Sequence, residues 1–309
     1  MLNRRDLIAG AVAGLTVASL PALAQEKLAV VASFSILGDF VQRIGGERIA
    51  LTTLVGPDGD AHVYSPTAAD AKVMAAAKLV IVNGLNFEGW MTRLVKSSVA
   101  KAPVIAAAGK VTPLKEAGGH NHGHSHGHGH GGADPHAWQD VGNAKLYVAA
   151  IRDALVAADP AGKAVYEANA DAYLTELTAL DADLRAAVQR IPADRRKAIT
   201  SHDAFAYFEK AYGLDFVSPQ GVSTEAEASA KDVARIIRQM KAQKIPAVFL
   251  ENITNPRLIE QIARETGAKI GGRLYSDALS APDGPAGSYI AMMKHNISQI
   301  EKALGAGPS

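Results

Sequence analysis

The chain has 309 residues, 48% of them hydrophobic, enough to bury a large core and longer than one core usually serves. Lys and Arg number 32 against 31 Asp and Glu, so no basic excess is available to meet a phosphate backbone, and nucleic acid is excluded as a partner. There is no cysteine, which removes disulfides, thiolate metal ligands and any thiol for lipid attachment.

The first residues carry a basic start, an apolar stretch from Leu7 to Leu20, and Ala22 and Ala24 in an A-x-A pattern. This predicts a secretory signal over residues 1–24, cleaved after Ala24. The apolar stretch is shorter than the ~20 residues that span a bilayer and Pro21 ends it, so no stable membrane insertion is expected and the product is placed in the periplasm. Arg4-Arg5 suits a twin-arginine signal and an ordinary basic leader equally.

Residues 25–140 read as a first lobe. Leu28 to Val31 predicts a strand, and Ile36, Phe40, Val41 and Ile44 share one face of a helix that Gly45-Gly46 stops. Ile49 to Val55 is a second strand, Gly56 to Asp60 the loop leaving its end, and His62 follows closely. Thr67 can cap a helix over Ala68 to Ala77; Leu79 to Val82 is a third strand, Phe87 to Val95 a helix, and Val104 to Ala107 a fourth strand. Alternation of strand and helix argues for a parallel sheet with helices on its faces.

The loop 118–132 then interrupts with His120, His122, His124, His126, His128 and His130, six of the chain's ten histidines, spaced mostly by glycine. Imidazole is the commonest protein ligand for divalent zinc, nickel and copper and is mostly neutral near pH 7, so this run can capture metal. Its glycines deny it a fixed cage, which predicts an exchanging, auxiliary role and places the holding site elsewhere. A leftover purification tag is the bland alternative, opposed by the irregular spacing and the mid-chain position.

Residues 141–191 turn wholly helical, with one break at Asp159-Pro160. Tyr173, Leu177, Leu180, Leu184, Ala187 and Ile191 form a stripe at spacings of three and four, on a helix of roughly 45 Å that could run the height of both lobes. A two-helix hairpin domain is the competing reading; the stripe is narrow for a bundle core, which favours a linking helix. Residues 192–309 repeat the alternation. Strands are expected at Ala198 to Thr200, Asp215 to Val217, Ala247 to Leu250 and Lys269 to Leu274, the last interrupted at Gly271-Gly272, with helices between them and a closing helix from Ser288 to Leu304. The fold class is therefore α/β: two lobes, each a mostly parallel sheet flanked by helices, joined by one long spanning helix.

Ligands of open α/β sheets bind beyond the carboxyl ends of strands, where loops and helix amino-termini converge. His62, His202 and Asp277 each follow a strand, and His136 sits in the Pro-anchored segment Asp134-Pro135-His136. Singly, each is more often a hydrogen-bonded loop residue or a turn former. Jointly, beside a metal-collecting loop in a secreted chain without cysteine, they are candidate metal ligands. His295, on the last helix beside Lys294, reads as a surface residue.

Four segments carry a resemblance: Gly59 to Pro66 (GDAHVYSP), Asp134 to Trp138 (DPHAW), Ser201 to Phe208 (SHDAFAYF) and Asp277 to Ser280 (DALS), with Glu265 to Lys269 and Asp283 to Tyr289 further on. In this order they resemble the ligand segments of the periplasmic metal-binding proteins that feed ABC importers of zinc and manganese. The resemblance covers the whole mature chain. It implies two α/β lobes joined by a long helix, metal held between them by His62, His136, His202 and Asp277, and a membrane permease as partner. It also implies that the third ligand separates branches of the family, manganese and iron binders carrying Glu where this chain has His202. Three imidazoles and one carboxylate suit four-coordinate zinc, Zn2+, better than manganese, which prefers more oxygen. Asp134, Asp203 and Glu251 are candidate acceptors for the outer ring N–H groups. With a reference pKa of ~6.5, the three histidines should release metal below about pH 6.

The expected function is capture of zinc and delivery to an ABC permease, by a chain expected to be monomeric and open to loading by a periplasmic metallochaperone. A surface metal-binding adhesin could use the same fold, although the missing lipid-attachment cysteine favours a free carrier. A zinc hydrolase or lyase fits poorly, because catalytic zinc keeps a water where Asp277 would close the sphere, and no H-E-x-x-H supplies a base.

Overall fold

The computed structural model describes residues 26–115 and 132–305; the expected signal segment and the six loop histidines lie outside them. Strands β1 (Leu28–Phe34), β2 (Ile49–Val55), β3 (Leu79–Val82) and β4 (Val104–Ala106) form a parallel sheet in the order β2-β1-β3-β4. The second sheet repeats the plan with β5 (Lys197–Ile199), β6 (Asp215–Val217), β7 (Ala247–Glu251) and β8 (Lys269–Leu274) in the order β6-β5-β7-β8. All of these pairings are parallel. In each sheet the chain moves outward from its first strand, then crosses back over it, so a crevice opens beyond the carboxyl ends of β1 and β3 and of β5 and β7. The central strands β1 and β3 are apolar runs buried along nearly their whole length, as strands covered on both faces must be.

Local chemistry explains where helices begin. Helix α1 (Ser35–Gly45) follows β1 directly, and α2 (Ala68–Ala76) opens on a capping box in which Thr67 and Asp70 satisfy each other's backbone N–H groups. Helix α3 spans Met91–Ser98, starting four residues later than the apolar pattern from Phe87 suggests. The reason lies just upstream. Gly84, Leu85 and Asn86 all have positive φ (84°, 53° and 63°), and the buried Glu88 carboxylate folds back to accept from the N–H groups of Asn83 and Gly84 and from Ser33 Oγ. A side chain occupied by three donors behind it holds the chain in a turn there.

The segment 141–191 contains two α-helices, α4 (Val141–Ala158) and α5 (Lys163–Gln189), separated by a 3-10 turn at Pro160–Gly162. Helix α4 packs on α1 and the first sheet, and α5 runs antiparallel along α4 while touching α1 on one side. In the second lobe follow α6 (Ala206–Tyr212), α7 (Ala230–Gln243), α8 (Arg257–Thr266) and α9 (Tyr289–Leu304). Helix α5 also packs on α6 and α9, so the spanning role belongs to α5, whose 27 residues extend about 40 Å. The stripe Tyr173, Leu177, Leu180, Leu184, Ala187 is buried against both lobes; Ile191 is buried too but lies beyond the helix end.

One hydrophobic core therefore runs through both lobes. It links Phe34 and Phe40 of the first lobe through Tyr147 and Tyr173 of the linking helices to Tyr289 and Met293 of α9. The Phe40 and Tyr289 rings meet edge to face at 4.7 Å, and the Tyr289 N–H donates to Asp39 Oδ2 at 2.9 Å. A second, smaller cluster (Ile199, Ile236, Met240, Val248, Ile259, Ile262) lies under α7 and α8. Along β8 the expected interruption is a register shift opposite Val248 and Leu250, with Gly272 at φ 126°. A Cβ on Gly271 would lie 2.5 Å from the Phe249 ring, so the strand passes that close only as glycine. Among the described residues no helix is long and apolar enough to cross a membrane.

Trp138 is the joint between the lobes. Fully buried, its ring lies against Phe34, Phe87 and His136, and its indole N–H donates to the Ser276 carbonyl at 2.9 Å. Trp138→Ala is expected to cost about 3–5 kcal/mol of unfolding free energy, chiefly through the cavity left behind, since the Ser276 carbonyl keeps its second donor, Gln139 Nε2. Urea denaturation of the metal-free protein measures this; a loss under about 1 kcal/mol would show that Trp138 carries little of the joint.

Candidate metal centre

Each candidate ligand arrives at the cleft by a different local device. His62 follows β2 through a tight loop in which Asp58 has positive φ and Asp60 Oδ1 accepts the His62 N–H at 2.9 Å. His136 is held twice by one carboxylate: Asp134 Oδ1 is 2.9 Å from its backbone nitrogen and 2.8 Å from its ring Nδ1. That bond keeps a proton on Nδ1 and leaves Nε2 as the nitrogen that can turn to a metal once its own proton is given up. His202 follows β5, and Glu251, at the end of β7, holds its backbone as Asp134 holds that of His136, but meets its ring as a close charge pair and not in hydrogen-bond geometry. Glu251 Oε1 accepts the N–H groups of Ser201 and His202 at 2.7 and 3.0 Å, while Oε2 lies 2.6 Å from the ring Nδ1. Asp277 follows β8, its preceding carbonyl, Ser276 O, gripped from the first-lobe side by Trp138 Nε1 and Gln139 Nε2.

These devices bring all four side chains to one point. Asp277 Oδ2 is 3.1 Å from the Nε2 atoms of both His62 and His202; His136 Nε2 is 3.3 Å from His62 Nε2 and 3.6 Å from Asp277 Oδ1. The four candidate donor atoms all lie within 4.8 Å of one another. A tetrahedron with metal–donor bonds of ~2.0–2.1 Å needs donors about 3.3 Å apart, and the closest pairs bracket that value. Asp277 Oδ1 is buried and has no hydrogen-bond partner among the described residues, the condition of an oxygen waiting on a cation.

The electrostatics agree. Burial alone would depress the His136 imidazole, but the Asp277 and Asp134 carboxylates outweigh it and push its pKa up to about 9. His202 is held well above the ordinary histidine value in the same way, burial being opposed by Glu251 and Asp277. Burial would likewise raise Asp277, yet His202 and His136 hold it well below the usual carboxylate range. A buried anion that demands positive charge is what a dication satisfies.

Of the three expected ring acceptors, Asp134 takes that part, and Glu251 lies 2.6 Å from the His202 ring Nδ1 as a charge partner. Asp203 does not take it: no bond from its carboxylate to a ligand ring is seen among the described residues, and its backbone N–H donates to the Gly221 carbonyl. Sequence reading missed Asn83, whose Nδ2 donates to the Pro135 carbonyl at 2.9 Å and whose Oδ1 accepts from Tyr147. It also missed Phe87, whose ring packs edge-on at 4.7 Å from His62. His295 lies away from the site, its Nε2 3.0 Å from the Arg273 carbonyl.

The sequence model of the family described as "Zinc-uptake complex component A periplasmic" (ZnuA) matches residues 30–303. The chain belongs to the ZnuA family. Among curated relatives, this ZnuA-family chain is 36% identical to the manganese-binding lipoprotein MntA of Halalkalibacterium halodurans over 284 residues, covering 90% of this chain and 89% of MntA. It is 33% identical to the zinc-binding protein TroA of Treponema pallidum over 305 residues, 96% of each chain. The solved structure of that periplasmic zinc-binding protein superposes with a TM-score of 0.83 at 31% identity, covering 91% of this chain and all of TroA. ZnuA-family proteins are metal-binding substrate-binding components of ABC importers. They are solute-binding proteins, not enzymes, which sets the hydrolase alternative aside.

Proposed function

We propose that this protein captures zinc between its lobes in the periplasm and delivers it to the permease of an ABC importer. The metal identity rests on one observation: three imidazoles and one carboxylate converge with donor atoms within 4.8 Å of one another, a nitrogen-rich set that suits tetrahedral zinc, and the outer ring nitrogens of His136 and His202 each lie beside a carboxylate of their own. His202 is the deciding residue, since a carboxylate there would offer the oxygen-rich set that manganese prefers. The names of the relatives point to manganese and zinc alike, so the donor set has to decide.

The histidine run serves in this reading as an auxiliary collector. The chain leaves for it at Lys115 and returns at Ala133, which face each other in an isolated antiparallel bridge, so the site's frame is closed without it. Titration of metal-free protein, followed by native mass spectrometry and calorimetry, tests both halves. Deleting residues 119–131 is expected to leave one tight zinc per chain and to remove only weaker equivalents, because a glycine-spaced loop loses ordering entropy whenever it wraps an ion. Almost any nitrogen site prefers zinc to manganese, so manganese is the discriminating probe. A one-to-one manganese complex as tight as the zinc complex would sink the zinc assignment, and loss of the tight zinc on deletion would make the loop part of the site.

A further inference from the structure

His136, His202 and Asp277 have no exposed side-chain surface, whereas His62 keeps 5% of its own. A cavity of about 200 Å³ reaches that edge, lined by Leu85, Asn86 and Phe87 from the first lobe and by Ser223 and Glu225 from the second. Glu225 is the one acidic residue among its lining residues, and it is exposed.

Both walls are built. Thr224, between Ser223 and Glu225, donates its hydroxyl to Asp60 Oδ2 at 2.6 Å, and the other oxygen of that carboxylate holds the His62 N–H. The second-lobe loop is thus clasped to the loop that carries His62. On the opposite wall Leu85 and Asn86 sit in the left-handed region at φ 53° and 63°, a conformation that is uncommon for non-glycine residues and persists where surroundings enforce it. Here the Glu88 carboxylate enforces it, through the N–H groups of Asn83 and Gly84, and Phe87 is set against the His62 ring as a result.

Resting on the carrier reading above, we infer that this cavity is the vestibule through which the metal ion passes to and from the buried site, with the Glu225 carboxylate as its transient contact. A hydrated dication exchanges its waters stepwise. A solvated carboxylate can take it with little loss of hydration, and His62, the ligand that faces the cavity, is next in line, its Nε2 3.1 Å from Asp277 Oδ2 and 3.3 Å from His136 Nε2. Glu225 accepts any divalent ion, so selection is left to the four inner donors. A group that meets the ion only in passage changes entry and exit rates by the same factor and leaves the dissociation constant alone.

The test uses the full chain carrying one tight zinc, weaker equivalents having been washed away, with release followed into an excess of fluorescent chelator. Glu225→Gln is expected to slow release about threefold to tenfold, the effect of one screened carboxylate on a dication several ångströms away, with the dissociation constant unchanged within about twofold. Thr224→Ala, which opens the clasp between the loops, serves as the contrast. Release that is unaltered in Glu225→Gln but faster in Thr224→Ala would mean that the ion leaves by separation of the lobes, and would overturn the vestibule. So would a dissociation constant that rises with faster release in Glu225→Gln, since Glu225 would then be a ligand. A parent chain that holds no tight zinc would instead overturn the carrier reading itself.

Discussion

Asp277→Ala is expected to raise the zinc dissociation constant by more than about 100-fold while leaving one weak equivalent bound. Loss of an outer-shell partner alone costs a site ~10–100-fold, and here a charged inner donor is removed. Asp277 is also the residue that touches every other candidate ligand: its two oxygens lie 3.1 to 3.6 Å from the Nε2 atoms of His62, His136 and His202. It comes from the second lobe, whereas His62 and His136 come from the first, so the substitution cuts a tie across the cleft and should speed release. Glu251→Gln is the informative comparison. It keeps all four donors but removes the charge beside His202 Nδ1, and an affinity loss of about 10–100-fold is expected. Zinc X-ray absorption at one equivalent per chain reads the outcome directly: Asp277→Ala should exchange a carboxylate oxygen for water, and Glu251→Gln should leave the first shell as it was. An unchanged first shell in Asp277→Ala would show that Asp277 is not a ligand.

Zinc affinity is expected to keep rising with pH past neutrality, by about tenfold per pH unit for each proton displaced, and to level off only near pH 9. The reference histidine value alone puts that levelling near pH 6.5. The window moves because His136 in the metal-free protein is pushed up to about 9 and His202 is raised as well, so zinc must expel protons from both across the neutral range. The metal-free protein should show the opposite trend. A group whose folded pKa lies above its unfolded value stabilises the fold fully below the unfolded pKa and loses that contribution as pH rises through the folded one; for His136 the loss runs from about 6.5 to about 9. Melting temperatures with and without zinc should therefore diverge as pH increases from 6.5 to 9. Calorimetry in buffers of different ionisation enthalpy counts the protons released, and an affinity flat from pH 7 to 9 would show that His136 is already neutral in the metal-free site.

How legible the site was in the chain depended on which physical signal each residue carried. His62, His202 and Asp277 were readable because strand ends are where α/β sheets place their ligands, and the strands themselves were plain apolar runs. Glu251 was reached only as a guess from proximity, like Asp203, and the structure puts it at the end of β7. Asp203 misled because closeness in sequence says nothing about which way a loop side chain turns. Asn83 and Ser276 act through an amide and a carbonyl met by partners 52 and 138 residues away, and no pattern along the chain records such a meeting. The start of α3 failed for a related reason: Phe87 and Glu88 fit a helical period, but Glu88 is engaged by Ser33, 55 residues upstream. Tertiary bonding overrode a local preference there.

The aromatic core that runs from Phe34 and Phe40 through Tyr173 to Tyr289 makes the molecule a stiff socket. Opening it wide would expose rings that lie edge to face across the junction, so large swings of one half against the other are opposed by the same hydrophobic term that keeps the chain folded. Ions are then sorted by whether they accept a polyhedron assembled in advance, because little flexible wall is left to reshape itself around a misfit. The same stiffness bears on delivery: with the two halves held together by buried rings, the route left to the ion, on the vestibule reading, is a stepwise one past His62, not an opening of the whole cleft.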